Sequence, residues 1–271
     1  MTAPRGRRAR VVGIVLLSLL FLLPLIFMLA GSLREPGLPP PIGFEWLPRP
    51  ARWSNFRTVF DFVPLWTFLR NSLIVVAVAV PVTVLVASWA GFTIARASGR
   101  MRRILIAASL IALMMPVTAL WVPRFLLFKW TGLTDNLASL MTPALMATTP
   151  FYVLLFALAY SRIPRALYEA AEMDGHSPLA IWRRVAWPLT RPVTFAVAVL
   201  AFVFHWSNFV DPLLYLSSSD RFTLPLGLRM LQSLDPTNYP ILLAASVLVT
   251  VPPVIAFLLA QRAFFNRTLE V

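Results

Sequence analysis

Four polar or aromatic side chains near residue 205 form the densest cluster of candidate binding groups within an apolar stretch of the chain. They are His205, Trp206, Asn208 and Asp211. Ionisable groups in a membrane are costly, so they usually face a bundle interior or a water-filled cavity. Aromatic rings stack on sugar faces, while amide and carboxylate groups bond hydroxyls. We therefore predict that these residues line the pathway of a polar solute. Helix–helix hydrogen bonding, or an interfacial position for Asp211, is the alternative.

A second polar spot lies at Thr148 and Thr149, with Tyr152 shortly after it. The two threonines precede a proline, and we interpret them as satisfying backbone groups that the proline leaves unbonded. Tyr152 is grouped with the predicted solute pathway. Asn71 and Ser72 are predicted to open a membrane span, where such residues cap or pack more often than they bind.

Two carboxylates, Glu169 and Glu172, invite an acid–base interpretation that their surroundings do not support. Glu169 follows Arg165 by four residues, the spacing of a helix-surface ion pair that contributes only a few tenths of a kcal/mol. Neither carboxylate has a nearby nucleophile or metal partner. The two histidines, His176 in the elbow and His205 in a predicted span, fall in different locations, and the chain has no cysteine. We predict no catalytic residue, no metal site and no enzymatic activity.

A nucleotide-binding loop of the Walker A type is also excluded. Such a loop needs Gly-Lys-Ser/Thr to hold phosphates, whereas the single lysine of this chain, Lys129, is followed by Trp130. We predict that the chain binds no cofactor of its own. Any energy from ATP must therefore come from a partner.

The composition indicates an all-α, polytopic integral membrane protein. Hydrophobic residues make up 59% and charged residues 13% of the 271 residues, against roughly a quarter charged in soluble domains. About 20 apolar residues cross a bilayer core, and the first apolar run exceeds the h-region of a cleaved signal peptide. Six transmembrane helices are predicted, at residues 11–31, 69–92, 104–122, 137–160, 193–214 and 241–260.

The distribution of basic residues sets the predicted orientation. If the chain crosses the membrane at each predicted span, most of the 24 Lys and Arg residues fall in segments on the same side. This excess of basic residues identifies that side as cytoplasmic. Residues 1–10 and 266–271 are then the cytoplasmic ends, and 32–67 is an extracytoplasmic loop. The net charge of +13 is explained by topology, so no nucleic-acid partner is predicted.

The loop at 32–67 is rich in proline, which favours stiff, extended segments and excludes regular helix. It is either an ordinary spacer or a surface that meets an extracytoplasmic binding protein.

Residues 161–191 form the one long polar insert on the predicted cytoplasmic side. Pro164 is predicted to occupy the first position of a helix that ends at Gly175, since glycine enters the left-handed conformation without steric penalty. Ser177 is predicted to cap a second helix, which Pro188 ends. The product is a helix–turn–helix elbow with too little apolar area to form its own core, so it should dock on something.

Two apolar stripes are predicted for the elbow from helical spacing. They consist of Leu167, Ala170 and Ala171 in the first helix and Leu179, Trp182 and Val185 in the second.

The elbow resembles the EAA loop of ABC importer permeases. Glu169-Ala170-Ala171, then Gly175, then Val185-Ala186-Trp187-Pro188 match that pattern, although Trp187 stands where the family has leucine. The resemblance is to the sugar branch, of the maltose-permease type, and covers about residues 53–265. It extends to Asn71-Ser72, Gly132-Leu133, Trp206, Phe209, Pro212-Leu213, Gln261-Arg262 and Phe264.

The resemblance implies a MetI-like permease fold, with residues 68–265 as the permease domain. It also implies that the elbow is the coupling helix of the importer, with its contact and turn residues at Glu169, Ala170, Ala171, Asp174, Gly175 and Pro188. The implied partners are a second homologous permease, two ABC ATPase subunits carrying ATP and Mg²⁺, and an extracytoplasmic solute-binding protein, in a bacterial inner membrane.

The implied solute is a sugar, as a di- or oligosaccharide. A polyol or glycerophosphodiester remains an alternative, as does a secondary transporter. The family often ends in a tail that reaches the ATPase, and the different ending of this chain puts that contact in doubt.

Overall fold

The computed structural model describes residues 4–40, 43 and 48–268. Every regular element among these residues is helical, which confirms the predicted all-α class. In chain order the α-helices are α1 (Pro4–Ser32), α2 (Asn55–Phe62), α3 (Leu65–Arg96), α4 (Gly99–Met114), α5 (Trp121–Thr131), α6 (Ala138–Met141), α7 (Pro150–Ser161), α8 (Arg165–Met173), α9 (Pro178–Ile181), α10 (Trp187–Leu189), α11 (Arg191–Ser207), α12 (Val210–Tyr215), α13 (Leu224–Leu234) and α14 (Tyr239–Thr268).

Within the described part of the chain, four helices are long and apolar enough to cross a membrane, and the number rises to six if two bent pairs each count as one span. The four are Arg10–Ser32, Leu65–Arg96, Ala138–Ser161 and Tyr239–Leu258. The bent pairs are Gly99–Met114 with Val117–Thr131, at 90°, and Pro178–Leu189 with Arg191–Ser207, at 85°. The predicted spans therefore have counterparts in these segments, but several are not straight.

The predicted third span, 104–122, corresponds to a bent pair of helices. The chain turns at Met115 and Pro116, between α4 and the 3₁₀ turn that leads into α5. Met115 has extended dihedral angles (φ −71°, ψ 123°), because a proline disfavours helical geometry in the residue before it. The predicted span at 193–214 is likewise interrupted after Ser207, where Asn208 is extended (ψ 116°) before α12 begins.

The fourth span is broken at two left-handed residues. A 3₁₀ turn at Thr142–Met146 follows α6, and Ala147 and Thr148 then have φ angles of 60° and 61°. Positive φ is rare for residues with a side chain and most unusual for a β-branched one. As predicted, Thr149 supports the backbone beside the proline, because its side chain accepts from the N–H of Phe151 at the start of α7.

The described residues form two compact units. The first unit comprises the described parts of Met1–Trp66 together with Gly227–Val254, and the second comprises those of Thr67–Leu226 and Ile255–Val271. The predicted absence of helix from 32–67 is wrong, since α2 lies there. The prolines of that loop end at residue 50 except for Pro64, which leaves a proline-free stretch long enough for two helical turns.

In the first unit, Asn55 fixes the start of α2. Its side chain is fully buried, and its amide nitrogen donates to the carbonyls of Ser32 and Arg34 at 2.8 and 2.7 Å. Ser32 is the last residue of α1, where carbonyls lack a partner inside the helix, and Arg34 lies two residues beyond it. A buried side-chain amide thus joins the start of α2 to the end of the first span and the residues just after it.

In the second unit, α3 contributes the residues on which other segments pack. Asn71 lies in the second turn of α3 and does not open it, which corrects the predicted position. The reason is that the helix already begins at Leu65, directly after Pro64. The Asn71 amide donates to the carbonyls of Asp220 and Phe222, and Ser72 accepts from the N–H of Leu224. Both residues therefore pack and bond, as predicted.

Candidate functional site

The first helix of the elbow, α8, ends in the geometry that the sequence predicts. Gly175 has a φ of +75°, its N–H donates to the carbonyl of Glu172, and the next N–H, of His176, donates to Ala171. This pair of bonds is the Schellman motif, which requires a left-handed residue at that point. At the other end, Pro164 is the N-cap rather than the first helical residue, because its ψ of 133° is not helical.

The second helix begins at Ser177, whose hydroxyl accepts from the N–H of Ala180 at 3.3 Å, as predicted. Pro188 does not end this helix, which corrects the prediction: the chain continues through a π turn at Trp182–Ala186 and stops at Thr190. The N–H of Trp187 bonds to the carbonyl of Trp182, five residues earlier. Such a turn already interrupts the regular hydrogen-bond ladder, so a proline that lacks an N–H is tolerated directly after it.

The elbow docks on the membrane helices of its own unit, through two residues of the predicted stripes, Ala171 and Trp182, and through further side chains outside them. The buried residues are Tyr168 and Ala171 in α8, and Ile181, Trp182 and Ala186 in the second helix. They pack with residues of α3, α7 and α11 in one cluster. Leu167, Ala170 and Leu179, which belong to the predicted stripes, are exposed, and Val185 is half-buried. Tyr168 is buried in place of Leu167 because its large ring packs against Phe92 of α3.

Buried hydrogen bonds accompany this packing. The indole N–H of Trp182 donates to the Ser88 hydroxyl at 3.0 Å, and Ser88 in turn shares a 2.5 Å bond with the Tyr160 hydroxyl. The Tyr168 hydroxyl donates to the Tyr160 carbonyl at 3.1 Å. Burial raises the pKa of Tyr168 to about 12, against the opposing effect of the neighbouring Arg96 guanidinium, so the phenol stays protonated and remains a donor.

Arg96, the last residue of α3, lies beside the elbow. Its guanidinium carbon is 5.7 Å from the centre of the Phe92 ring and 5.1 Å from that of Tyr168. The same group forms a hydrogen-bonded ion pair with Glu172 of α8. The predicted surface pair between Arg165 and Glu169 is not formed among the described ion pairs. Glu172 instead pairs with a residue of another helix, which no local spacing indicates.

A polar groove of about 410 Å³ opens between the end of α3, α4 and α8. Its charged lining consists of Arg96, Arg102, Arg165, Glu169 and Glu172.

The turn between the two elbow helices presents the resembled motif to the outside. Glu169, Ala170, Asp174 and Gly175 are exposed, Ala171 is buried and Pro188 is half-buried. Met173 is also exposed, with 90% of its surface accessible. Sequence reasoning missed it, although a large apolar residue directly before Asp-Gly in an amphipathic helix is a usable signal. An exposed apolar side chain rimmed by polar groups is typical of an interaction surface.

Three of the predicted pathway residues are hydrogen-bonded, His205 in one group and Asn208 with Asp211 in another. His205 is buried, and its Nε2 lies 3.3 Å from the hydroxyl of Thr148, which is also hydrogen-bonded to the Thr83 hydroxyl. Tyr152 is buried one turn after the break in the fourth span. Trp206 is buried too, and its indole N–H has no hydrogen-bond partner. In this conformation these side chains face the packed interior of the chain.

The second group centres on Asp211. Its carboxylate accepts from the Asn208 amide at 2.8 Å and lies 3.7 Å from Nη1 of Arg124 in α5. The Asp211 N–H also donates to the Asn208 side chain at 3.2 Å. Arg124 was not among the predicted site residues, because it lies 87 positions away in sequence and only the bend before α5 brings it to α12.

The described residues hold no group of three or more His, Asp or Glu side chains arranged to bind a metal ion.

Comparison with known proteins identifies the family. The family described as "Binding-protein-dependent transport system inner membrane component" matches residues 79–270. The arabinooligosaccharides transport system permease protein AraQ of Halalkalibacterium halodurans is 32% identical over 256 residues, which is 93% of this chain and 91% of that protein. The lactose transport system permease protein LacG of Rhizobium radiobacter is 29% identical, over 81% of this chain and 80% of that protein. The diacetylchitobiose uptake system permease protein DasC of Streptomyces coelicolor is 27% identical, over 92% and 90%.

Solved structures agree on the fold. A chain of a bacterial ABC transporter that imports the acidic polysaccharide alginate superposes with a TM-score of 0.74 and 21% identity, covering 97% of this chain and 99% of that one. A chain of a methionine ABC transporter in an inward-facing conformation superposes with a TM-score of 0.56 and 16% identity, over 73% and 95%. These likenesses confirm the expected ABC importer permease fold. The chain therefore belongs to the family of binding-protein-dependent transport system inner membrane components.

Proposed function

We propose that this chain is one permease of a carbohydrate ABC importer and forms half of the translocation pathway with a second, homologous permease. Two ATPase subunits, which hold the ATP and Mg²⁺, and an extracytoplasmic solute-binding protein complete the assembly. The chain itself catalyses no reaction. Closure of the ATPases on ATP moves the elbow, and the elbow reorients the membrane helices, so that the solute passes between the two permeases.

The geometry of the elbow carries this proposal. One face of α8 is packed on the chain's own helices through Tyr168 and Ala171, while the opposite face leaves Glu169, Ala170 and Met173 exposed. A short amphipathic helix with a small residue between a charge and an apolar side chain suits a groove on a partner protein. Asp174 and Gly175 form the turn at the end of that face, and Pro188 lies half-buried in α10.

The membrane is the bacterial inner membrane, and we place both termini in the cytoplasm. The basic bias of the segments that include the elbow supports this orientation. An elbow on that side meets the compartment in which ATP is available.

We propose a di- or oligosaccharide as the solute, because the relatives compared above are named for such sugars. A polyol or glycerophosphodiester is the second candidate, since these solutes present similar hydroxyl patterns. Within the chain, we propose that Tyr152, His205, Trp206, Asn208 and Asp211 line the pathway in the conformation that admits the solute. The buried indole N–H of Trp206 without an acceptor supports a rearrangement that supplies one.

The experiment that tests the coupling role compares two substitutions at Gly175. Gly175→Arg places a bulky cation at the turn, and we expect normal membrane insertion but loss of the co-purifying ATPase and of transport. Gly175→Asn is the matched control, because asparagine tolerates the left-handed conformation and no heavy atom lies within 4 Å of the position of an added Cβ. We expect this variant to keep the ATPase.

Met173→Glu adds an independent arm, since it changes the exposed face without touching the turn. We expect it to weaken ATPase binding. Transport and ATPase binding at wild-type levels in both Gly175→Arg and Met173→Glu would exclude docking through this surface.

A further inference from the structure

Two separate sets of contacts join the elbow to α3 and α7. The first is the buried chain of hydrogen bonds from Trp182 through Ser88 of α3 to Tyr160 of α7. The second is the guanidinium of Arg96, which lies near the rings of Phe92 and Tyr168 and is paired with Glu172. The first set holds the second helix of the elbow, because Trp182 follows the Gly175 turn. The second set holds the first helix, because Glu172 precedes that turn.

α3 and α7 are themselves in direct contact. A Cβ at Gly91 would lie 2.5 Å from Cβ of Phe156 and 2.8 Å from both the backbone nitrogen of Ala157 and the carbonyl oxygen of Val153. No side chain fits there, so the two backbones touch. Small residues at helix contacts permit this close approach in membranes.

We infer that Ser88 and Arg96 are positioning residues that make the elbow, α3 and α7 move as one body during transport. The inference rests on the proposed docking of the elbow on an ATPase. Neither residue touches the proposed ATPase surface or the proposed solute pathway. Their role is to carry a displacement of the elbow into α3 and α7, which both precede it in the chain.

The chemistry of Arg96 suits this role. Its side chain is only 30% exposed, and a planar guanidinium stacks on rings while forming directional bonds to a carboxylate, which a lysine ammonium does not reproduce. Ser88 is buried and acts on two partners, so its loss would leave the Trp182 indole N–H without an acceptor.

The decisive experiment is a charge exchange across the pair in the reconstituted complex of both permeases, the ATPases and the binding protein. We expect Arg96→Glu and Glu172→Arg each to keep the ATPase bound but to lower transport at least tenfold, while ATP hydrolysis no longer responds to solute. The double variant R96E/E172R restores the pair in reverse and should recover most of the transport. A contact that only stabilises the fold would lower thermal stability without changing the number of ATP molecules hydrolysed per solute.

Two further variants cover the case in which a charge reversal prevents insertion. Arg96→Lys keeps the charge but loses the stacking, and Ser88→Ala removes the hydroxyl at nearly unchanged volume. Both should raise the ATP consumed per solute. Normal coupling in both, or a double exchange no better than its parents, overturns the inference.

A distance measurement tests the common movement directly. Because the chain has no cysteine, spin labels can be attached to cysteines introduced at the exposed positions Ser98 and Leu179. In the wild type the distance between the labels should stay within about 2 Å, the size of a small helix shift, between the nucleotide-free and the ATP-bound complex. In the Arg96→Lys variant, the distance between the labels should change by more than this amount between the nucleotide-free and the ATP-bound complex. A larger change in the wild type contradicts the inference, whereas a complex without any bound ATPase contradicts the proposed function instead.

Discussion

The hydroxyl of Thr148 lies 3.3 Å from Nε2 of His205, so a hydrogen bond joins the break in the fourth span to α11. Thr148 also has a φ of 61°, a conformation that a β-branched residue adopts only when its surroundings impose it. The Thr83 hydroxyl bonds to the same oxygen. A strained backbone and a buried polar contact thus coincide at one residue.

Replacing Thr148 with valine tests how much this contact contributes. Thr148→Val keeps the shape and the backbone strain but removes the hydroxyl, leaving the Thr83 hydroxyl and the His205 ring one partner short. We expect the free energy of unfolding in detergent to fall by roughly 1–3 kcal/mol. Thr93→Val is the control, because the Thr93 hydroxyl is exposed and bonds only to the Trp89 carbonyl of its own helix. An equal loss of unfolding free energy in both variants would mean that the buried Thr148 contact contributes no more to stability than an exposed hydroxyl does.

The pathway role of Asp211 requires a design that separates transport from folding. Asp211→Ala alone leaves Arg124 mostly buried without its partner, and breaking a buried pair costs roughly 3–5 kcal/mol. The double variant Arg124→Gln with Asp211→Asn removes both charges together. We expect this double variant to be near wild type in thermal stability but to transport the solute poorly or with altered preference.

Asn208→Ala should show the same transport defect, because its amide orients the Asp211 carboxylate. Radiolabelled uptake with competing sugars is the measurement. Unchanged transport and specificity in both the double variant and Asn208→Ala would assign the cluster to helix packing.

The stability of the folded chain should depend on pH through the carboxylate of Asp135. The Ser218 hydroxyl and the backbone N–H groups of Ser218 and Ser217, helped by Arg221, lower the pKa of Asp135 from 3.8 to about 2. Because the folded state binds the proton less tightly than the unfolded state, the stabilisation is present above about pH 4 and disappears as pH falls towards 2. Asp135→Asn should therefore lower stability by roughly 1–2 kcal/mol at pH 7, with a difference from wild type that shrinks below pH 4.

Unfolding in detergent across that range measures the effect of Asp135. Asp220→Asn serves as the matched control, since Asp220 is an exposed aspartate of the same region. Its backbone carbonyl accepts from Asn71, but its carboxylate belongs to none of the described ion pairs or hydrogen bonds. A constant difference between wild type and Asp135→Asn at all pH values would show that the carboxylate charge is not what stabilises this loop.

The elements that the sequence predicts well depend on interactions within a few residues. Gly175 ends α8 because only its own φ and the hydrogen bonds of the adjacent turn are involved, and Ser177 caps α9 through a residue three positions on. Apolar runs of sufficient length mark the membrane segments, since the bilayer thickness sets that length. The family resemblance rests on the same local motif.

The errors arise where distant segments decide the outcome. The buried face of α8 contains Tyr168 rather than Leu167 because the space under the elbow is bounded by Phe92 and Tyr160, which come from other helices. The mean proline content of 32–67 predicts no helix, but all of these prolines except Pro64 lie at or before residue 50, which leaves α2 free of proline. The bend at Met115 lies directly before Pro116, and at the other bend Asn208 is itself extended. A helical period in the apolar residues reveals neither.

By itself, the sequence determined that the chain is a helical membrane protein with an EAA-type elbow, because composition, run length and local capping fix these features without reference to the rest of the fold. Only the tertiary structure decided which side chains the elbow buries, that Arg96 meets Glu172 across 76 positions, and that Arg124 approaches Asp211. The physical reason is that such pairs form only when bends and helix packing bring the segments together. Their energies depend on burial and geometry, which neither residue type nor spacing specifies.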